Sequence, residues 1–260
     1  MNFDQKAEIY EKISISQQQA AIKLLSMMKI EPQHQVLDVG CGSGYLTELM
    51  SNLSSSVSGF DIAEKMIIEA QKLRPTINFF IADADAFCNY EAYDWIVTNA
   101  VTYYFKNLPN TLSNFYLSLK PNGCYALQAQ TEVTPQFLQA MSGLWNDPVT
   151  AQLYSKFQLP INQLKFDEFI QVLTSAGFVI EDAQMVNFKT EYSFNQALDI
   201  FKSGTATPFL NPYGYGTVSL PQEYIVKFWQ IVEDGLKQQC KGDKITLDVP
   251  RCFIIAKKMK

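Results

Sequence analysis

The chain of 260 residues has a single histidine, His34, and only two arginines, Arg74 and Arg251. One imidazole rules out a His-rich metal site, and a Ser-His-Asp triad would have to use that one residue. With a formal charge of −5 and no basic stripe, nucleic acid is not an expected partner. No apolar run approaches the roughly 20 residues that span a bilayer. The stretch Met1 to Tyr10 mixes Asp4, Lys6 and Glu8 and has no apolar segment of the kind a signal peptide needs. No membrane partner is expected either. The five cysteines (Cys41, Cys88, Cys124, Cys240, Cys252) are odd in number, far apart and without a CxxC pair. That is the usage of reduced thiols in a cytosolic protein, so the expected location is cytoplasmic. What is plentiful is apolar surface: 47% of residues are hydrophobic against 18% charged, which excludes intrinsic disorder and suffices for a core.

Periodicity along the chain alternates between two and 3.6. Ala20, Ala21, Leu24, Leu25 and Met28 predict a leading helix that Pro32 stops. Strands are expected over Gln35–Val39, Val57–Asp61, Ile77–Ala82, Tyr93–Thr98 and Cys124–Gln130, with helices after Tyr45, over Ala63–Leu73 and over Thr111–Leu119. Strand, short loop, helix, strand at this spacing is the mark of right-handed βαβ units around a parallel sheet. Later come a helix over Phe166–Ala176, strands over Phe178–Val186 and Arg251–Ala256, and a helix over Gln222–Lys237. Two stretches without clear periodicity, one from Pro135 to Pro160 and one rich in aromatics and Gly/Pro up to the 222–237 helix, read as insertions, and long insertions in compact domains are usually functional.

The run Val36-Leu37-Asp38-Val39-Gly40-Cys41-Gly42-Ser43-Gly44 is a strand entering a glycine turn that opens a helix. Glycine lets the backbone turn tightly and admits a ligand with no Cβ in the way. A dinucleotide site favours G-x-G-x-x-G; here the third-glycine position carries Tyr45, which disfavours NAD or FAD. Asp61 ends the second strand, where a carboxylate accepts from both hydroxyls of an unphosphorylated ribose. Asp83 follows the third strand, where an acceptor takes the exocyclic amine of an adenine. Asp38 is placed to meet an α-amino group directly or through water. Three acids at the carboxyl ends of successive strands suit a ligand with an adenine, a free ribose and a cationic portion but no phosphate.

These residues resemble those of the class I S-adenosylmethionine-dependent methyltransferases. The resemblance spans the chain: the glycine motif at 36–44, Asp61, Asp83, the fourth-strand segment Asp94 to Ala100, and Ala176-Gly177-Phe178 before the sixth strand. It implies an α/β fold, a Rossmann-like doubly wound sheet of seven strands in the order 3-2-1-4-5-7-6, the last antiparallel, with helical cap insertions. It implies S-adenosyl-L-methionine as cofactor and S-adenosyl-L-homocysteine as product. The cofactor residues it implies are Gln17, Asp38, Gly40, Cys41, Gly42, Gly44, Asp61, Ile62, Met66, Asp83, Ala84 and Asn99. The segments Lys202 to Leu210 and Val249 to Ala256 look like those of the trans-aconitate methyltransferases, and Tyr10 and Gln17 fall where that branch has a cofactor-covering N-terminal segment. Methyltransferases acting on malonyl carrier protein or on juvenile hormone acid are related branches. One methyltransferase domain over 1–260 is expected, divided into an N-terminal helical segment (1–34), a cofactor-binding core (35–133), a lid insertion (134–164), the rest of the sheet (165–189 and 244–260) and a substrate cap (190–243).

The acceptor is harder to read. His34 precedes the first strand, at the end opposite the cofactor, and the loop Thr98 to Phe105 contains no acid for a catalytic metal. No general base and no metal ligand is therefore assigned. A carboxylate needs no base, being ionised at neutral pH, so the acceptor is expected to be a small-molecule carboxylic acid. A tricarboxylate would want arginines for bidentate capture. Arg74 precedes the third strand, at the wrong end, and Arg251 is expected far from the cofactor. The candidate pocket is aromatic instead: Tyr103, Tyr104, Trp145, Phe209 and Tyr213, which suits an acid with an apolar body. An N- or O-methyltransferase on another small molecule or on a carrier-bound acid, and a non-catalytic cofactor-binding subunit, remain open alternatives, as do monomer and homodimer.

Overall fold

The computed structural model describes residues 15–159 and 163–260, so Tyr10 and Pro160 lie outside the described residues. Helix α1 (Ile15–Met27) leads into β1 (Gln35–Val39), α2 (Tyr45–Ser51), β2 (Ser56–Asp61), α3 (Glu64–Leu73), β3 (Asn78–Ile81) and β4 (Tyr93–Asn99). Then follow α4 (Leu108–Ser118), β5 (Leu119–Gln130), α5 (Pro135–Met141), α6 (Ala151–Tyr154), α7 (Phe166–Ser175) and β6 (Val179–Ser193). The chain closes with α8 (Phe194–Ser203), α9 (Ala206–Phe209), α10 (Gln222–Gln239) and β7 (Lys244–Lys257). The strands form one sheet in the order β3-β2-β1-β4-β5-β7-β6, parallel from β3 to β5 and antiparallel between β5 and β7. This is the Rossmann-like order expected.

The inner strands are apolar on both faces because helices cover both, as parallel sheets require. Val36, Leu37 and Val39 of β1 and Tyr125, Ala126, Leu127 and Ala129 of β5 are fully buried. Amphipathic α3 turns Met66, Ile67 and Ala70 inward.

Several boundaries differ from the sequence pattern for identifiable reasons. Helix α4 begins at Leu108 instead of Thr111 because Asn107 caps it through Asn110 N at 3.3 Å and Pro109 occupies its first turn. Asp85 reinforces that start, accepting from Lys106 N, Asn107 N and the Thr111 hydroxyl. Strand β5 begins at Leu119 instead of Cys124: Asn122, at φ 66°, turns inside the strand, where Asn122 N donates to Lys258 O and Lys258 N to Gly123 O. Strand β7 starts at Lys244, seven residues ahead of expectation, because Ile245, Leu247 and Val249 alternate inward just as a half-buried strand would. The stretch 135–160, which carries no clear pattern, holds the short helices α5 and α6.

Two compact units emerge, one of residues 2–131, 162–186 and 251–260, the other of 132–161 and 187–250. Each has its own core. The first is built on Leu37, Ile96, Phe115, Leu127 and Ile254, the second on Phe137, Phe201, Tyr224, Phe228 and Leu236. Within the second unit α10 approaches α5 so closely that a Cβ at Gly235 would stand 2.5 Å from Ala140 O and 2.7 Å from Ala140 Cα. An alanine in mid-helix ordinarily stabilises relative to glycine by about 1 kcal/mol, but here it meets backbone that cannot swing aside. Gly235→Ala is therefore expected to destabilise the second unit by roughly 1–3 kcal/mol, read as a lowered midpoint in thermal unfolding; a raised midpoint would contradict this packing.

Candidate active site

The site is built where β1 hands over to α2. Gly40, Gly42 and Gly44 have φ of +68°, +56° and +90°, a region that side chains with a Cβ rarely enter. Space enforces the same choice: a Cβ on Gly40 would lie 2.4 Å from Val101 Cγ2, and one on Gly44 would lie 2.6 Å from Phe79 Cζ. Gly40 N and Cys41 N both donate to Phe60 O, tying the loop to β2. Arg74 corrects an expectation. Although it precedes β3, its buried side chain runs back to the loop, where Nη1 donates to Ser43 O and Nε pairs with Glu48 at 2.9 Å. A long stem lets a charged head act well away from its own Cα.

The three acids have distinct surroundings. Asp38 is almost fully buried and accepts from the Thr47 hydroxyl at 2.6 Å. Burial, only partly offset by Thr47, and the nearby Asp61 charge push its carboxyl from the ordinary 3.8 up to about 7. Asp61 accepts from Gly42 N at 3.0 Å and from Ala63 N at 2.9 Å, and burial outweighs these bonds so that its carboxyl is also raised. Asp83 accepts from Asp85 N at 3.0 Å and stands 3.8 Å from Lys106 Nζ. Cys41 feels both of the first two acids; burial first, then both carboxylates, push its thiol well above the usual range, so it is no thiolate nucleophile.

A small cavity of about 50 Å³ gathers Gln17, Asp38, Gly40, Cys41, Gly42 and Asn99 from the expected cofactor set. Gln18, Ser43, Tyr45 and Leu46 complete its walls. Asn99 Nδ2 donates to Gln17 O at 3.4 Å, joining α1 to the end of β4. Asp61 meets this group through Gly42, whereas Ile62 is exposed, Met66 is buried on α3, and Asp83 and Ala84 follow β3. Gly44 caps the N-terminus of α2. Thr47, Val101 and Arg74 were not legible as site residues, because their roles arise only once α2, the β4 loop and α3 fold back on the glycine turn.

Of the five aromatic candidates, Tyr103 and Tyr104 pack edge to face at 4.6 Å on the turn after β4. The other three belong to the second unit. There Trp145 and Tyr213 are exposed, while Phe209 is buried and stacked on Phe157 at 4.7 Å. His34 accepts from Glu31 N at 3.0 Å, just ahead of β1 and away from the glycine loop. Among the described residues no group of three His, Cys, Asp or Glu could hold a metal ion, and no helix is long and apolar enough to cross a membrane.

A sheet of this order, ending β1 in a glycine cradle with acids at the tips of β1, β2 and β3, defines a class I S-adenosylmethionine-dependent methyltransferase. Residues 14–182 match the family model of the methyltransferase domain, and the chain belongs to that family. Trans-aconitate 2-methyltransferases of Methylobacterium nodulans and Escherichia coli are each 24% identical to it, over 99% of this chain and 99% of theirs. Among solved structures, the YcgJ protein of Bacillus subtilis superposes with a TM-score of 0.64 at 15% identity, over 93% of this chain and 99% of that one. Phosphoethanolamine N-methyltransferase 2 of Haemonchus contortus, solved with phosphomonomethylethanolamine and S-adenosylhomocysteine, gives a TM-score of 0.57 at 17% identity, over 99% of this chain and 58% of that one. The protein is thus a methyltransferase whose cofactor is S-adenosylmethionine. The cradle fits that molecule, since it offers glycine backbone for close approach and buried acids in need of a cation.

The pH dependence follows from Asp38. Its carboxyl titrates near 7 in the fold against 3.8 ordinarily, so the folded state holds a proton that the unfolded state has lost. The stability this contributes is present below about pH 4 and falls as pH rises to about 7, by up to roughly 1.4 kcal/mol per pH unit. Cofactor-free Asp38→Asn is expected to flatten that slope in denaturant titrations between pH 4 and 8; an unaltered slope would place the titration elsewhere.

Proposed function

We propose that the enzyme methylates a carboxylate oxygen of a small or medium-sized, partly apolar acid. In this reading Asp38 receives the donor's ammonium, Asp61 the ribose hydroxyls and Asp83 the adenine amine, with the glycine loop, Gln17 and Asn99 around the amino-acid end. The bound donor supplies a methyl group already activated on a sulfonium. The acceptor oxygen takes that methyl while the electron pair of the breaking C–S bond stays on sulfur. Cation and anion become two neutral products and no proton has to move. The chain's task is then to align the acceptor and keep water out.

The observation that carries this reading is the lack of a poised base among the described groups near the donor. His34 sits before β1, and Cys41 is held as a thiol. Asp38 titrates near neutrality only while its site is without a cation; an ammonium draws the proton off and uses the carboxylate as its counter-ion. A tyrosine base is disfavoured in the second unit, where burial drives Tyr215 up and Tyr224 to about 12. The trans-aconitate relatives support an acid acceptor. The aromatic pair Tyr103 and Tyr104, on the turn after β4, argues for an apolar body on it. Phe209, being stacked in a core, serves that unit's stability first.

Two measurements test this. With labelled donor, octanoate is expected to yield an alkali-labile methyl ester faster than trans-aconitate; an alkali-stable product from an amine or phenol, with none from either acid, would overturn the carboxylate reading. For the donor site, Asp61→Ala is expected to lose roughly 1.5–3 kcal/mol of cofactor affinity, the value of hydrogen bonds to a charged group. Wild-type affinity should rise with pH up to about 7, with proton release seen by calorimetry in two buffers at pH 6, and Asp38→Asn should abolish that release.

A further inference from the structure

Beside the donor cradle the sheet holds further buried polar groups, of which only Asn99 enters the donor assignments. Gln128, in the middle of the sheet on β5, is fully buried, yet neither its amide oxygen nor its amide nitrogen has a hydrogen-bond partner. Nearby on the chain, the buried hydroxyls of Thr131, just past β5, and Thr102, just past β4, are in the same state, as is Asn99 Oδ1. Buried amides are almost always satisfied. An orphaned one costs stability, and leucine would fill that volume at no such cost. The registers show where this polarity points. Gln128 pairs with Asn99 on one side and with Phe253 on the other, and Gln130 pairs with Arg251. Directly opposed residues share a face and so do residues two apart, so Asn99, Gln128 and Arg251 stand on one face of the sheet. The Asn99 amide reaches Gln17 O, so this is the face that α1 begins on, and Asn99 is also a wall of the donor cavity. Gln128 is one strand spacing, about 4.8 Å, further along. Arg251 was expected far from the cofactor; β7 runs antiparallel to β5, which returns this buried guanidinium to the carboxyl edge beside Gln130.

We propose that Gln128, flanked by Asn99 and Arg251, is the seat of the acceptor's carboxylate. The chemistry is matched: an amide N–H donates to one carboxylate oxygen, and Arg251, two residues along the same face and keeping its own interactions, adds positive potential on the side where a buried anion would lie. The seat adjoins the cavity that takes the amino-acid end of the donor, so an acid held there has an oxygen beside the methyl group. This inference rests on the carboxylate reading above and adds the residues that choose the acid.

The test uses the full chain saturated with S-adenosylhomocysteine and titrated with octanoate, together with methylation kinetics on octanoate and trans-aconitate. Gln128→Leu is expected to weaken octanoate binding and raise its KM by about tenfold, the loss of one hydrogen bond to a charged group. Its affinity for S-adenosylhomocysteine should be unchanged and its unfolding midpoint equal to or above wild type, since the orphaned amide is gone. Gln128→Glu keeps the shape and should lose the acid still more completely through like-charge repulsion. If wild type esterifies an acid and Gln128→Leu does so with the same KM, the seat lies elsewhere and the carboxylate reading stands. If Gln128→Leu loses S-adenosylhomocysteine instead, the amide belongs to the donor, and the proposal is overturned. A marked fall in the unfolding midpoint would show a structural partner for Gln128 and overturn it too. If wild type esterifies neither acid, the carboxylate reading fails and the seat with it.

Discussion

The contact between Asp38 and Thr47 sits under everything at the donor end of this molecule. A carboxyl group removed from water at the tip of a central strand is expensive to ionise, and one hydroxyl at 2.6 Å is too little to make it cheap. The neighbouring Asp61 adds to the cost. A proton on that carboxyl relieves the cost, and a neighbouring cation would relieve it in the same way. The left-handed glycines, the Phe60 carbonyl that ties them down and the Arg74 brace all keep that carboxyl in place. They do so without filling the space in front of it. The loop's precision and the acid's discomfort are two sides of one arrangement.

The second unit is stabilised by different means. Its interior is aromatic: Phe157 lies between Phe209 and Tyr215, and Phe201 contacts Phe137, Phe228 and Trp229. The polar ends of these rings are not left over. Tyr215 donates to Phe209 O at 2.6 Å and its hydroxyl also meets that of Tyr224 at 2.7 Å, so two buried phenols satisfy each other and the backbone. Such a core is satisfied without buried charges.

Much of the sheet was legible because βαβ periodicity, turn residues and the glycine motif all point to the same order. The positions of Asp38, Asp61 and Asp83 were legible for the same reason: strand ends are marked by the sequence around Gly40, Asp61 and Asp83. What escaped depends on long-range return. Arg74 and Arg251 look misplaced along the chain, and only the course of a side chain in one case and of an antiparallel strand in the other brings them to the carboxyl edge. The burial of Phe209 against Phe157 was not legible, because an aromatic in a glycine-rich stretch reads the same whether it faces a ligand or a core. The early start of β7 was visible in the alternation of Ile245, Leu247 and Val249, a short signal overshadowed by the apolar run after it.

The placing of the acids bears on turnover. On the assignments proposed here, Asp38, Asp61 and Asp83 grip the ammonium, the ribose and the adenine, and methyl transfer leaves all three unchanged. The demethylated product keeps every one of those handles and loses only the sulfonium charge. None of the three distinguishes it from the donor. Such an enzyme would be held back by its own spent donor, and its pace in a cell would follow the ratio of methylated to demethylated cofactor more closely than the supply of either alone.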